Sequence, residues 1–141
     1  MQTAIYDIAQ DPARPQTLYA AGASDALYRS DDRGGSWQRV NTEFPNVSLV
    51  AANGGRVLVG TSNGGDGFLV VFDPGGAVLT STYIGGSGYD SVADIKVSGM
   101  EAVTIAGSTS SPYWPLVGAA IRDYHGRDDA FWIKMMRTPS R

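Results

Sequence analysis

The sequence predicts an all-β fold in which short antiparallel strands form repeated four-stranded units. The chain of 141 residues contains 18 glycines and 7 prolines, an abundance that favours short strands joined by turns. Long stretches of Ala, Leu, Glu and Lys with helical period are missing. Strand-like segments of one form recur along the chain. With 43% hydrophobic and 18% charged residues, the composition is that of a globular protein.

The recurring segments alternate apolar residues and then end in glycine and small residues. They are LYAAGAS, RVLVGTSN and VTIAGSTS, with glycines at Gly22, Gly60 and Gly107. The spacings of 38 and 47 residues bracket the roughly 40 to 50 residues of a four-stranded β-propeller blade. A second internal similarity relates residues 64–73 to residues 126–135. The second copy contains an insertion, which we assign to a loop.

Runs of strand-forming residues bounded by turn residues predict the strands of each blade in order. The first blade, about residues 3–42, uses 4–9, 17–21, 26–29 and 36–40. The second, about residues 46–84, uses 47–52, 56–60, 68–72 and 77–83. The third, about residues 90–137, uses 92–97, 102–106 and 130–136, and its fourth strand is missing. We therefore predict that residues 1–141 form a single partial β-propeller of about two and three-quarter blades, a fragment of a larger ring.

Residues 30–37, with the sequence SDDRGGSW, match every fixed position of the Asp-box pattern S-x-D-x-G-x-[ST]-W. They resemble the turns of bacterial neuraminidase (BNR) repeats and sortilin-type propellers. In such a turn the Asp carboxylate accepts backbone N–H groups, Gly permits the tight backbone, and Trp covers the hairpin base. The residues expected to hold this structural turn are Ser30, Asp32, Gly34, Ser36 and Trp37.

From Asp66 onwards the chain resembles a different family, the SBBP-type bacterial propeller repeat. In that repeat a D-[AG]-F strand leads through a turn to STY-[LI]-GG and later to a Gly-Ser-Thr-Ser strand end. The matching segments are DGF at 66–68, STYIGG at 81–86 and DAF at 129–131. Both resemblances imply a β-propeller. They also imply an extracellular or cell-envelope setting, although the first fifteen residues show no signal-peptide pattern.

Composition argues against several classes of function. The 11 basic and 14 acidic residues form no cationic cluster that would neutralise a phosphate backbone, so we expect no nucleic-acid partner. There is no cysteine for a disulfide, a thiolate nucleophile or a Cys-based zinc site. No apolar stretch is long enough for a membrane span. The acidic pairs Asp31/Asp32 and Asp128/Asp129 lack the loop pattern of a calcium site, so we expect neither a metal nor a cofactor.

The sequence does not contain a recognisable catalytic constellation. The Asp-box occurs in sialidases, but there it is a peripheral structural turn. A sialidase-like site would need three arginines, a tyrosine nucleophile with its glutamate, and an aspartic acid, spread over about six blades. Glu43 and Glu101 are the only glutamates, and His125, the only histidine, has no signature partner nearby. We therefore predict that the protein is not an enzyme.

The insertion at residues 111–126 is the best candidate for a binding loop. Its candidate binding residues are Tyr113, Trp114, Arg122, Tyr124 and His125. Such a loop binds a sugar or a protein partner, or it packs over its own blade, as the equivalent segment of the repeat family does.

Taken together, these observations predict a non-enzymatic scaffold or protein-interaction segment of a larger, exported bacterial protein. The alternative is a peripheral part of a carbohydrate-binding or glycoside-hydrolase (sialidase-like) propeller, in which the loop at 111–126 contributes to a glycan site. Open blade edges also predict self-association.

Overall fold

The computed structural model describes residues 4–23, 26–40, 47–62, 66–73, 75, 77–98, 102–114 and 126–136. Within these ranges the chain forms eleven strands and no helix. The strands are β1 (Ile5–Gln10), β2 (Leu18–Gly22), β3 (Ala26–Ser30), β4 (Gln38–Val40), β5 (Val47–Asn53), β6 (Arg56–Ser62), β7 (Gly67–Phe72), β8 (Val78–Ile84), β9 (Asp90–Ser98), β10 (Ala102–Thr109) and β11 (Asp129–Met136). Each lies where the sequence predicts a strand, with small differences at the ends.

The strands form three antiparallel sheets, ordered β1-β2-β3-β4, β5-β6-β7-β8 and β9-β10-β11. Consecutive strands are neighbours in each sheet, as in the blades of a propeller. The prediction of an all-β fold is confirmed. Strand β4 is shorter than predicted, because the backbone N–H of Ser36 bonds to the Asp32 carboxylate at 2.8 Å inside the preceding turn.

Apart from its exposed outer strand β8, the middle sheet is covered on both faces, by the first sheet on one side and the third on the other. Successive side chains of a strand point to opposite faces, and β6 uses both. Val59 lies in an apolar cluster with Leu27 of the first sheet. The preceding residue, Leu58, lies in a second cluster with Ile105 of the third sheet. Strand β5 contacts both β1 and β9, so the first strands of the three sheets lie side by side.

Two carboxylates of the first sheet bind the backbone of the second. Asp7 accepts a hydrogen bond from the N–H of Val50 at 2.9 Å. The side chain of Asp11, fully buried, accepts the N–H groups of Gly54 and Gly55 at 2.9 and 3.2 Å. Gly54 and Gly55 have φ values of 60° and 85°, which are readily available only to glycine. Hydrogen bonds to a charged acceptor therefore fix the turn between β5 and β6 against the first sheet.

The stacked sheets have two ends with different connections. We call one the turn end, which contains residues 11–17, 31–37 and 54–55, and the other the loop end, which contains residues 85–89, 110–114 and 126–128. The Asn53 amide donates to the Val97 carbonyl at 3.3 Å at the turn end, and Gly67 lies against Val92 at the loop end. Corresponding ends of the second and third sheets therefore lie together.

Candidate functional site

Residues 30–37, which the sequence predicts to be an Asp-box, form a closed turn at the turn end. The Asp32 carboxylate accepts the N–H and the hydroxyl of Ser36 at 2.8 and 2.6 Å, and the hydroxyl of Ser30 at 2.7 Å. The Ser30 hydroxyl in turn accepts the N–H of Gly34 at 2.8 Å. Gly34 has a φ of 92°, and the indole of Trp37 lies against it. All five residues singled out in the sequence thus take part in contacts of the turn itself.

Hydrogen bonding lowers the pKa of Asp32. The Ser36 hydroxyl, the Ser36 N–H and the Ser30 hydroxyl favour the ionised carboxylate and lower its pKa from 3.8 to about 2. Because the folded-state value is the lower one, the turn is stabilised by this charge above about pH 4. That contribution is lost as the pH falls from about 4 to about 2.

This titration leads to a testable difference between the wild-type chain and Asp32→Asn. We expect the variant to have a lower urea midpoint at pH 6, because the neutral amide is a weaker acceptor than the carboxylate. The difference between the two midpoints should shrink steadily below pH 4. Urea titrations at pH 6, 4, 3 and 2.5 measure it. A difference that does not change with pH would contradict the hydrogen-bonding account.

Two ion pairs lie at the turn end beside the Asp32 turn. Asp31 accepts hydrogen bonds from Arg29 at 2.9 Å and from Thr17 at 3.0 Å, and these bonds hold the pKa of Asp31 below its ordinary value. Arg14 pairs with the buried Asp11 at 2.9 Å. Across the described part of the chain, no three acidic or histidine side chains come together as a metal site. The geometry here is that of a structural network.

At the loop end the structure places the two predicted binding residues that it describes in different environments. Trp114 is half-buried and stacks on Phe131 with ring centroids 4.6 Å apart. Its neighbour Tyr113 is 85% exposed. Trp114 therefore packs over its own blade, whereas Tyr113 presents its ring to solvent. Arg122, Tyr124 and His125 lie outside the described residues.

A second tyrosine is exposed beside this segment. Tyr89 is 74% exposed, and its backbone N–H donates to the hydroxyl of Ser110 at 2.7 Å. The N–H of Ser110 donates back to the Tyr89 carbonyl at 2.8 Å. Gly86, in the same loop as Tyr89, approaches the carbonyl oxygen of Tyr113 so closely that an added Cβ would lie 3.1 Å from it. The two tyrosines therefore project from loops that contact each other.

Buried polar groups hold these loops together. Asp90 and Ser111 are almost completely buried, and the Ser111 hydroxyl donates to the Asp90 carboxylate at 2.8 Å. The same carboxylate oxygen accepts the N–H of Gly86 at 2.7 Å, and the Ser111 hydroxyl accepts the N–H of Gly88 at 2.8 Å. Hydrogen bonds between buried groups fix backbone geometry firmly. We call the exposed side chains of Tyr89 and Tyr113, whose loops these hydrogen bonds hold, the tyrosine surface.

Tyr89 was not singled out by the sequence, because it lies in a glycine-rich connection that the spacing assigns to a turn. The available signal was the cluster of hydroxyl residues at 108–111, which can bond a facing loop, together with a tyrosine in that loop. None of the described residues belongs to a helix with the length and hydropathy that a membrane crossing requires.

Solved structures provide the comparison with known proteins. No family model matches the sequence, and no curated protein matches it. A structure of YCF48 bound to a D1 peptide is similar with a TM-score of 0.50 and 14% identity, over 78% of this chain and 37% of that chain. YCF48 from Cyanidioschyzon merolae is similar with a TM-score of 0.42 and 14% identity, over 99% of this chain and 58% of that one.

The first of these similarities bears on the fold. YCF48 is a β-propeller protein, and this chain matches 37% of the length of the peptide-bound structure. The three sheets are therefore those of a partial β-propeller, as the sequence predicts. The assignments of residues 30–37 to an Asp-box and of the later segments to SBBP-type repeats stay predictions.

Proposed function

We propose that this chain is a protein-interaction segment of a β-propeller without catalytic activity of its own, and that the tyrosine surface makes the contact. The observation that carries the proposal is the exposure of Tyr89 and Tyr113 on two loops held by the buried Asp90 and Ser111. Tyrosine combines a large apolar ring with a polar hydroxyl, which makes it frequent among the residues that dominate binding energy.

Preorganisation supports a binding role for this surface. A loop that is disordered before binding loses conformational freedom when it meets its partner, at a cost of about 0.5 to 1.5 kcal/mol for each immobilised side chain. Here the backbone of the Tyr89 loop is already fixed, because its N–H groups donate hydrogen bonds to the side chains of Ser110, Ser111 and Asp90, which also anchor the Tyr113 segment. Tyr113 also lies in the sequence between Ser111, which the hydrogen bonds anchor, and Trp114, which stacks on Phe131.

The similarity in fold to a peptide-bound structure supports a binding function for this chain. The similar structure shows YCF48 with a bound D1 peptide, so a β-propeller related in fold binds a polypeptide. In this proposal the present chain also binds a polypeptide, and it does so as part of a larger, exported bacterial protein. The turn at residues 30–37 is structural, because its own serines occupy the Asp32 carboxylate.

Selected peptides provide the test. A random peptide library displayed on phage is selected against the chain, and the affinity of the best synthetic peptide is then measured by fluorescence anisotropy. We expect Tyr89→Ala and Tyr113→Ala each to weaken binding at least tenfold, since exposed aromatic contacts of this kind contribute about 2 kcal/mol or more. Both side chains are exposed, so circular dichroism should show an unchanged fold.

Tyr6→Ala is the matched control, because Tyr6 is an exposed tyrosine on β1 of the first sheet, and the middle sheet lies between that sheet and the third. We expect it to keep wild-type affinity. Failure to select any peptide, or selected peptides that bind the Tyr89→Ala/Tyr113→Ala double variant as well as the wild type, would disprove the proposal. A glycan array in which the chain binds a sugar but no peptide would instead favour the carbohydrate-binding alternative.

A further inference from the structure

Strand β8 forms the outer edge of the middle sheet. Strand β5 lies at the other edge of that sheet, beside β1 and β9 of the neighbouring sheets. In a β-propeller the first strands of the blades surround the central channel, and the fourth strands form the rim of the ring. Further blades on either side would therefore extend the ring without covering the outer edge of β8.

This edge is long and uncharged. Strand β8 has seven residues, VLTSTYI, among which there is neither a charged residue nor a proline. The corresponding strand of the first sheet, β4, has three residues, and one of them is Arg39. Short length, charge and proline are means by which proteins prevent an outer strand from pairing with another chain. Strand β8 uses none of these three.

The side chains of β8 are exposed. All residues from 78 to 83 are exposed, and the large side chains of Leu79 and Tyr83 reach 56% and 74%. The Tyr83 ring is held against Phe68 of β7, with ring centroids 5.0 Å apart. Val78 is a third large apolar residue in the same exposed strand. Such a concentration of exposed apolar side chains favours contact with another protein.

The sequence of β8 is chemically symmetrical about Ser81. Residues at equal distances on its two sides are similar in kind. The pairs are Thr80 and Thr82, Leu79 and Tyr83, and Val78 and Ile84. When two copies of β8 pair antiparallel with Ser81 on the two-fold axis, the members of each pair lie opposite each other. Threonine then meets threonine and apolar residues meet apolar residues, and cross-strand pairs of these types stabilise a sheet.

We propose that two copies of this chain associate through β8 as an antiparallel pair, with Ser81 opposite the same residue of the second copy. The symmetry of the β8 sequence identifies a second copy as the partner, because every cross-strand pair is then favourable. Such an interface closes at two copies. One strand pair buries little area, so the dimer is weak and forms at high protein concentration.

This site lies on the rim of the middle sheet and uses neither tyrosine of the tyrosine surface. It therefore adds a partner to the proposed function without resting on it. It also assigns to one strand the self-association that the sequence predicts for open blade edges.

Charge substitutions at Ser81 test the position of the axis. Because Ser81 lies opposite itself, Ser81→Lys brings two ammonium groups together, and Ser81→Glu brings two carboxylates together. We expect each variant to raise the dissociation constant of the dimer about fivefold or more, measured by analytical ultracentrifugation over a concentration series. An equimolar mixture of the two variants should dimerise at least as tightly as the wild type, since lysine then lies opposite glutamate.

Net charge alone predicts a different result. The chain carries a net charge of −3, so an added lysine reduces the general repulsion between copies and an added glutamate increases it. An effect of net charge would therefore strengthen association in one variant and weaken it in the other. Weaker association in both variants, with recovery in the mixture, requires that the two substituted residues meet.

Gln38→Lys and Gln38→Glu are the matched controls, because Gln38 is an exposed polar residue on β4, the outer strand of the first sheet. We expect both to keep the wild-type dissociation constant. Circular dichroism should show an unchanged fold for all four variants, since both positions are exposed. The Tyr89→Ala/Tyr113→Ala double variant should still dimerise, so this test fails or succeeds independently of the proposed function.

Three results would overturn the proposal. The first is a monomer even at a chain concentration of about 1 mM, where a weak specific contact is still detectable. The second is association that neither Ser81→Lys nor Ser81→Glu weakens, since the contact would then lie elsewhere. The third is a mixture of the two variants that associates no more tightly than either variant alone.

Discussion

Replacing Leu58 or Phe72 by alanine is expected to lower the free energy of unfolding by about 3 kcal/mol in each case. Both side chains are 1% exposed, but they lie in different apolar clusters. Phe72 belongs to the cluster between the first and middle sheets, and Leu58 to the one between the middle and third sheets. Equally large losses at both positions would show that the middle sheet is buried on both faces. Urea titration followed by circular dichroism measures them.

Leu79→Ala is the matched control for these variants. Leu79 lies on β8, the outer strand of the same sheet, and is 56% exposed. We expect a loss below about 0.5 kcal/mol, since little apolar surface is removed from a packed environment. If either Leu58→Ala or Phe72→Ala were as mild as Leu79→Ala, one of the two interfaces between sheets would not exist.

Asp11→Ala is expected to cost about 2 to 4 kcal/mol, a large effect for a carboxylate in a turn. Burial by itself raises the pKa of Asp11, but the N–H groups of Ala13, Gly54 and Gly55 and the Arg14 guanidinium outweigh it and hold the pKa below 3.8. The carboxylate is therefore charged at neutral pH. Its removal leaves the Arg14 guanidinium without its partner and frees the turn at Gly54.

Two further variants separate the causes of this loss. Asp11→Asn keeps one acceptor oxygen, so we expect it to retain part of the stability that Asp11→Ala loses. Asp94→Ala removes an exposed carboxylate from the third sheet and should change stability by less than about 0.5 kcal/mol. Asp11→Ala as mild as Asp94→Ala would mean that the bonds between the first two sheets contribute nothing.

The strands were predictable because their signals are local. Alternating apolar residues bounded by Gly, Pro and Asp place a strand without knowledge of its partners. The start of β4 was missed by two residues, because Ser36 forms hydrogen bonds to the Asp32 carboxylate that compete with the sheet. The pattern of strand-forming residues does not contain that competition.

The repeat gave the correct fold with an alignment that is one residue out of register. Aligning glycines equated Gly60 with Gly107, but strand pairing equates Gly60 with Ala106. The side chains at these glycines would even point to different faces, since Gly60 lies against Ile95 and Gly107 against Phe131. Both sheets have a bulge here, beside Gly60 in the middle sheet and beside Ala106 in the third, so the bulge marks equivalent positions. Small residues recur at such positions for different local reasons. They therefore indicate the length of the repeat better than the register of its strands.

The candidate site was only partly predictable. The aromatic insertion pointed to the loop end, but the sequence could not distinguish the stacked Trp114 from the exposed Tyr113. The role of Asp11 was equally hidden, because the glycines that it binds lie 43 and 44 residues further along the chain. Contacts between residues so far apart in the sequence follow from the stacking of sheets and not from any local pattern.

Mapping of amide chemical shifts by nuclear magnetic resonance tests the proposed function most directly, using a peptide selected against the chain. We expect the peptide to perturb amides at residues 86–90 and 109–114, around Tyr89 and Tyr113. Amides of the turn end, at residues 11–17 and 54–55, should not move. Perturbations concentrated at the turn end, with those around Tyr89 and Tyr113 unchanged, would contradict it.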